Sequence, residues 1–579
     1  MNHNRFISKT ALQSFIGRLQ TAAGSPTGVA VLVFVLFIFA NALKTACFSC
    51  FLLDTGKTSD WQTLVFYFVR AILPLTFVFV LLTRPRRWFW FAGFYLVQTF
   101  YMALNLIYHF SLGDFLRLSQ FIGLQSEAID LVKYTNIPLD SRLWILAADL
   151  PFFIAMIVVY SRFSNANKRM FFKPTLVIGA LIMVAALFLW NPLSRSPTLA
   201  PDNSQYSDAA MVKKYGLLAF NIMDILNYGR TKSQTLSLRA GPSVSSPGTE
   251  GPRPDFVLIQ LESMGAYAIH RVYHGVHAAP FLHNLTAKSI YFPYAFSYHE
   301  AGLTTDCEFS VINSIEPLGD FPTMRLLNYR YLNSMYKRLA KYDYSIVAFH
   351  GNQGHFDNRD ETLFKMGVQT FWDLTRMGLK EISWGAPDGD VFNFVEGQLG
   401  TQHEPFLYHI ITMSSHEPFT LVNPYYKDNR FNAMSDKHAM AYLKSMAYVD
   451  RELEKFVTFI RKARPNCYIF IYGDHTPIGT FREFKKASYN AEGKLFEFVP
   501  MFILTPDSRV HYESRCAASF IDVAPTVLAA SGVPYKLHTK GTNLLNVPLA
   551  DGPLPFRGGT YLRSELYAKV KQQLQLENH

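Results

Sequence analysis

Charge is scarce in this 579-residue chain: Asp, Glu, Lys and Arg make up 17% of it, below the roughly 25% of an average soluble domain. With 49% apolar residues, that deficit excludes a string of ordinary soluble domains. Cysteine is scarcer still. Five in the whole chain exclude a disulfide-built scaffold. Cys47 and Cys50 lie in an apolar run, and Cys307, Cys467 and Cys516 stand in no CxxC or Cys/His pattern of a structural zinc site. There is no internal repeat, no glycine period and no heptad, and the 50 Phe and 31 Tyr exclude disorder, collagen and coiled coil. The net charge of +11 comes with no basic stripe interleaved with aromatics, so it gives no reason to expect nucleic acid as a partner.

What the chain has instead is five long apolar runs crowded into its first third, at about 28–53, 61–83, 88–110, 142–161 and 174–191. Each approaches the roughly 20 residues that a bilayer-spanning helix needs. The first is too long for a removable signal peptide and lacks a small-residue cleavage site, so it reads as a retained anchor. Arg5, Lys9 and Arg18, the RPRR run from Arg84, and Arg162, Lys168, Arg169 and Lys173 flank alternate ends of the runs, which assigns those flanks to the cytoplasm. The expectation is a cytoplasmic N-terminus (1–27), a five-helix transmembrane domain (28–191), and everything after it outside the cytoplasm. Arg70 and Asp149 interrupt the second and fourth runs at matched depth, which suggests an interhelical ion pair.

Residues 206–230 gather Leu217, Leu218, Phe220, Ile222, Ile225 and Leu226 among Lys213, Lys214 and Asp224. The pattern fits an interfacial helix and, equally, a core-packing one. Ser, Thr, Gly and Pro then dominate Thr231 to Pro254, as in a flexible connection. The stretch 192–254 is thus a juxtamembrane helix and linker. From 255 to 546, short β-rich runs (FVLIQLE, YSIVAFH, FLYHIIT, CYIFIYG, VPMFILT) alternate with helical stretches such as 438–463, the pattern of an α/β sheet covered on both faces. Residues 547–579 read as a C-terminal tail.

In open α/β sheets ligands collect beyond the carboxyl ends of the strands. There FVLIQL delivers Glu262, CYIFIYG delivers Asp474 and His475, and FLYHIIT leads to His416. Two carboxylates and an imidazole suit a divalent metal. HEAGLTTDCEF offers Thr304 and Thr305 as hydroxyl nucleophiles that a metal or base would activate. HGNQGHFDNRD adds His350, His355 and Arg359, the last suited to bidentate phosphate binding or to a structural role in a polar loop.

LES at 261–263, GLTTD at 302–306, HGN with NRD at 350–360, SSH at 414–416 and GDH at 473–475, in this order and spacing, resemble the lipoteichoic acid synthase branch of the sulfatase and alkaline phosphatase superfamily. The resemblance implies a sulfatase-like catalytic domain over 255–546, with a central β-sheet flanked by helices. It further implies that Glu262, Thr304, Asp474 and His475 bind one divalent metal, Mn²⁺ in preference to Zn²⁺ or Mg²⁺, with Thr304 also the nucleophile. Arg359, His350 and His416 would contact the phosphate or the leaving alcohol, with His416 as general acid. One departure is Asp357, where the family pattern tends to have Trp. The implied activity is transfer of phosphoglycerol from a membrane phospholipid to an envelope glycan, glycolipid or glycerol-phosphate acceptor, through a phosphothreonine intermediate at the outer side of a bacterial inner or plasma membrane. The alternatives are phosphoethanolamine transfer to lipopolysaccharide sugars, and a metal-free lipid-binding sensor of the same fold.

Overall fold

The chain divides into two compact units, one over Met1–Ala200 and Asp208–Gly229, the other over Pro201–Ser207 and Arg230–His579. A computed structural model describes residues 26–48, 88–112, 145–164, 217 and 221 of the first. Of the second it describes residues 239–568 apart from short stretches, the longest being 478–487.

In the first unit, three helices are α1 (Pro26–Cys47), α2 (Trp88–Leu112) and α3 (Leu150–Ser164). They fall within or overlap the first, third and fourth apolar runs, while the runs at 61–83 and 174–191 lie outside the described residues, as does the segment 206–230 except Leu217 and Asn221. Among the described residues, no helix is long and apolar enough to cross a membrane. The helices nonetheless carry apolar groups outward: Val35, Phe39, Val97, Phe100 and Ile154 are each more than half exposed. Polar groups turn inward. Lys44 Nζ lies 2.9 Å from Asp149 Oδ1 and 2.9 Å from Thr99 Oγ1, and the Tyr95 hydroxyl donates to the same Asp149 oxygen at 2.7 Å. Asp149 is therefore paired with Lys44. Arg70, the partner expected from matched depth, lies outside the described residues.

The second unit is built on a ten-stranded sheet. Its strands include β1 (Asp255–Leu261), β2 (Ile290–Phe296), β3 (Ser345–His350), β4 (Thr370–Trp372), β5 (Phe406–Ile411), β6 (Cys467–Gly473), β7 (Lys494–Leu504) and β8 (His511–Tyr512), in the spatial order β8-β2-β7-β6-β1-β5-β3-β4. The run β6-β1-β5-β3-β4 is parallel, and its strands are near-continuous Val, Ile, Leu, Phe and Tyr because helices cover both faces. β7 runs antiparallel between β6 and β2. The register of β7 on β2 slips between Val499 and Met501, where Pro500 faces the stretch holding Pro293 and neither can donate to the ladder.

Helices α4 (Thr304–Asn313), α5 (Arg359–Met366), α6 (Asp388–Gln398), α7 (Lys437–Ala463) and α8 (Val523–Ser531) pack around the sheet. The amphipathic α7 matches the sequence expectation over 438–463, and Asp436 caps it by accepting from the amides of His438 and Ala439. The folded unit continues beyond residue 546. A hairpin of β9 (Pro553–Phe556) and β10 (Gly559–Leu562) leads to Arg563, whose guanidinium meets the carboxylate of Asp522 with both side chains fully buried. The expectation of a tail from 547 did not include this pair because its partners lie 41 residues apart in the chain.

Candidate active site

Four neighbouring parallel strands, β6, β1, β5 and β3, each end at a predicted site residue or lead into one. Glu262 follows β1, and Asp474 and His475 follow β6, where Leu261 and Gly473 are register partners. His350 closes β3 and His416 follows β5 by a short turn. Gly473 permits this crowding: a Cβ there would lie 2.2 Å from the Met264 carbonyl oxygen. Ser263 (φ 52°) and Leu303 (φ 44°) hold the left-handed region next to Glu262 and Thr304, the kind of local strain that clusters at functional sites.

Thr304 opens α4 with its hydroxyl turned to the cluster. Its Oγ1 donates to Glu262 Oε2 at 3.0 Å and lies 3.3 Å from His475 Nε2. Thr305 does not compete, because its buried hydroxyl donates to the Gly302 carbonyl at 2.8 Å. The His475 Nδ1–H donates to the Thr476 carbonyl at 2.8 Å. That bond uses Nδ1 and leaves Nε2 facing the carboxylates, 3.4 Å from Glu262 Oε1 and 3.7 Å from Asp474 Oδ2. Glu262 is held by its backbone amide on Thr412 Oγ1 at 2.9 Å and by the Ser263 hydroxyl on Oε1 at 2.7 Å. Asp474 Oδ1 accepts from the amides of Ser263 at 2.8 Å and His475 at 2.6 Å.

The electrostatics of this cluster call for a cation. Burial pushes Asp474 well above the usual carboxylate range, reinforced by the charge of Glu262. Burial also opposes the charge on Glu262, yet His475, His416 and the hydroxyls of Ser263 and Thr304 together hold it below its ordinary value. Asp474 Oδ2 is buried without a hydrogen-bond partner, a costly state for a carboxylate oxygen. One ligand atom each from Glu262, Asp474 and His475 lies within 4.8 Å of the others. Two hard oxygens and one imidazole nitrogen so disposed fit a single divalent cation, with the Thr304 oxygen beside them.

The remaining expected residues divide. His350 is buried, its Nδ1–H donating to the Ile411 carbonyl at 3.1 Å, and burial with the nearby Arg359 charge pushes its pKa down to about 3. It is a neutral acceptor at Nε2. His416 stands near enough to Glu262 to act on it electrostatically, with its Nδ1 2.6 Å from the Glu417 carbonyl and its ring 5.1 Å from that of Trp384. Arg359 differs from the expectation of an open phosphate clamp: its Nε and Nη2 grip Glu308 at 2.9 and 2.8 Å, both side chains buried. Asp357, at the position of the expected Trp, pairs with Arg325 at 2.6 Å.

Sequence reasoning missed Glu308 and the work of Asp306. The Asp306 carboxylate accepts from the amides of Gly302 at 2.9 Å and Thr323 at 3.2 Å, holding the turn that carries Thr304. Burial pushes Asp306 up to about 7. Asp306 stood inside the GLTTD motif. Glu308 lies four positions after Thr304, one helical turn along, and that spacing was the available signal.

A mixed sheet with a buried acid, acid and imidazole cluster beside a hydroxyl makes a candidate metal site suited to a hydrolase or transferase. Comparison with known proteins carries this further. Residues 254–533 match the sulfatase family and residues 19–237 match the lipoteichoic acid synthase N-terminal domain. A lipoteichoic acid synthase of Staphylococcus saprophyticus is 25% identical over 544 residues, covering 86% of this chain and 80% of that protein. One of Staphylococcus aureus is 24% identical over 534 residues, covering 84% and 80%. Among solved structures, the integral membrane protein lipooligosaccharide phosphoethanolamine transferase A of Neisseria meningitidis shares the fold, with a TM-score of 0.51 at 12% identity over 88% of this chain and 98% of that one. The chain belongs to the lipoteichoic acid synthase-like branch of the sulfatase and alkaline phosphatase superfamily.

Proposed function

We infer that the protein is a membrane-anchored transferase that moves phosphoglycerol from a phospholipid to an envelope glycan, glycolipid or glycerol-phosphate chain outside the cytoplasm. The observation that carries this reading is the Thr304 hydroxyl, bonded to Glu262 and facing Nε2 of His475 beside the unpartnered Asp474 oxygen. The intact ligand set speaks for an enzyme and against a metal-free sensor. The names of the curated relatives favour the phosphoglycerol reading. Membrane anchoring is supported by the apolar groups that α1 to α3 carry outward, among them Phe39, Val97 and Phe100, where a soluble bundle would present polar ones.

A divalent cation held by Glu262, Thr304, Asp474 and His475, Mn²⁺ before Zn²⁺ or Mg²⁺, would lower the pKa of the threonine hydroxyl and offset charge on the phosphate. Thr304 Oγ passes its proton to Glu262 Oε2, to which it already donates, and attacks the head-group phosphorus; the new O–P bond forms as the P–O bond to diacylglycerol breaks, in line. His416 gives its proton to the leaving diacylglycerol oxygen. In the second step the acceptor hydroxyl attacks phosphorus and returns a proton to His416, and Thr304 leaves, taking its own proton back from Glu262. His350, neutral with its Nδ1–H already used, accepts a hydrogen bond from a hydroxyl of the head group or of the acceptor. Tethering the enzyme in the bilayer raises the effective concentration of a donor that never leaves it.

The test is incubation of the full chain, in vesicles with Mn²⁺, with phosphatidylglycerol labelled in its head group, followed by assay of diacylglycerol. Diacylglycerol released from phosphatidylglycerol supports the reading. Release from phosphatidylethanolamine alone would move the assignment to phosphoethanolamine transfer, and release from neither would end it.

A further inference from the structure

Asp388 is a carboxylate that the transfer reaction, as derived, does not use. It opens α6 and is 1% exposed, and among the described residues no cation pairs with it. Its Oδ1 accepts from the Met413 amide at 2.7 Å and its Oδ2 from the Ser414 amide at 3.1 Å, while its own amide donates to Ser414 Oγ at 2.8 Å. Burying a carboxylate without a counter-ion is costly, and here burial and the charge of Glu262 push Asp388 up to about 7 although the two amides oppose the shift. What those hydrogen bonds hold is the start of the turn between β5 and His416.

The turn is tied at both ends. Its next residue, Ser415, donates from Oγ to the Glu262 carbonyl at 2.6 Å, and the His416 amide closes it on the Met413 carbonyl at 3.0 Å. The segment leading into Asp388 supplies Trp384, whose ring lies 5.1 Å from that of His416. It is also held to the end of β3, where the Ala386 amide donates to the Gly351 carbonyl at 2.7 Å. Two successive amides meeting two oxygens of one carboxylate fix the direction of the chain more tightly than a single neutral acceptor would.

We propose that Asp388 is a positioning residue for general-acid catalysis: its two-pronged grip on the Met413–Ser414 backbone sets where the His416 imidazole stands relative to the leaving-group oxygen. The claim rests on the transferase reading and on His416 as the acid. A shift of about 1 Å in an acid removes much of its benefit, and general-acid catalysis is worth roughly 10²- to 10⁴-fold for a poor leaving group. It is worth little for a leaving group that is stable as an anion. Asp388→Asn keeps the shape but can accept only one of the two amide bonds.

The experiment compares two donors on the full chain in vesicles: phosphatidylglycerol, whose diacylglycerol oxygen needs a proton, and a p-nitrophenyl phosphodiester of glycerol, whose leaving group does not. Asp388→Asn should lower the single-turnover rate of leaving-group release, which reads the first step alone, at least about 10-fold on phosphatidylglycerol and by less than about 3-fold on the p-nitrophenyl ester, the same selectivity as His416→Ala. Bound metal per chain should stay at the wild-type value. Should Asp388→Asn not fold, Ser414→Ala, which keeps both amide bonds to the carboxylate and removes the contacts of the Ser414 hydroxyl with Asp388, is expected to show the same selectivity in smaller degree. Equal loss on both donors, or loss on neither, while His416→Ala remains selective, overturns the role of Asp388 and leaves the acid in place. A His416→Ala protein that is itself unselective overturns the acid assignment and this inference with it.

Discussion

Arg359 reaches across 51 residues of sequence to close on Glu308, Nε at 2.9 Å and Nη2 at 2.8 Å from the same carboxylate oxygen, with neither side chain exposed by more than a few per cent. The fork that the sequence left open between phosphate binding and a structural role is turned onto the protein. Glu308 stands on α4, the helix that begins at Thr304, and Arg359 opens α5, so the pair ties the helix of Thr304 to the loop after β3.

Breaking that pair from one side leaves the other charge buried and unmatched. Glu308→Ala should lower unfolding free energy by about 3–5 kcal/mol, and the joint replacement Glu308→Leu with Arg359→Leu should recover much of the loss. Denaturant titration of the two variants checks this. Equal losses in the single and double variants would show that the pair is not coupled.

Thr304 and Thr305 are neighbours with opposite assignments. Thr304→Ala should abolish diacylglycerol release. Thr305→Ala should cost about 1 kcal/mol of stability, the worth of one buried hydrogen bond, and leave a covalent adduct detectable on Thr304 by mass spectrometry of donor-treated protein.

His350 gives the site a pH signature. Its ordinary pKa of 6.5 falls to about 3 in the fold because burial and Arg359 oppose its positive form. The unfolded chain therefore binds a proton that the native one refuses throughout that interval, so stability is lost as pH falls from about 6.5 toward about 3 and is unaffected by this group above it. At about 1.4 kcal/mol per pKa unit the full effect is up to about 5 kcal/mol. His350→Gln should flatten the acid side of the stability profile by a share of that amount, measured by denaturant titration at pH 7 and pH 5.

In the helical unit, Lys44 shares Asp149 with the Tyr95 hydroxyl. Lys44→Met should destabilise the unit by leaving the half-buried Asp149 carboxylate without its cation, and Lys44→Met with Asp149→Leu should restore much of it. Thermal aggregation of the detergent-solubilised protein reads both.

The acid and imidazole cluster was legible because it follows a rule of topology: polar residues directly after buried parallel strands meet at one sheet edge, and Glu262, Asp474 and His475 did so. The partners of charged residues were not legible. Arg359 to Glu308, Asp149 to Lys44 and Arg563 to Asp522 each join positions 41 to 105 apart, and nothing local in the chain distinguishes a guanidinium aimed at a ligand from one aimed at a buried carboxylate. The strand β2 escaped notice for a different reason, since Pro293 interrupts its pattern and its place is secured by pairing with β7 and β8, both far along the chain.

The most direct measurement is of the threonine itself. Protein mixed with phosphatidylglycerol and Mn²⁺, quenched within a turnover and digested, should yield the peptide containing Thr304 with phosphoglycerol on that hydroxyl, and the adduct should vanish in Glu262→Ala. Full turnover with Thr304 never modified, or with the group found on another side chain, would contradict the account.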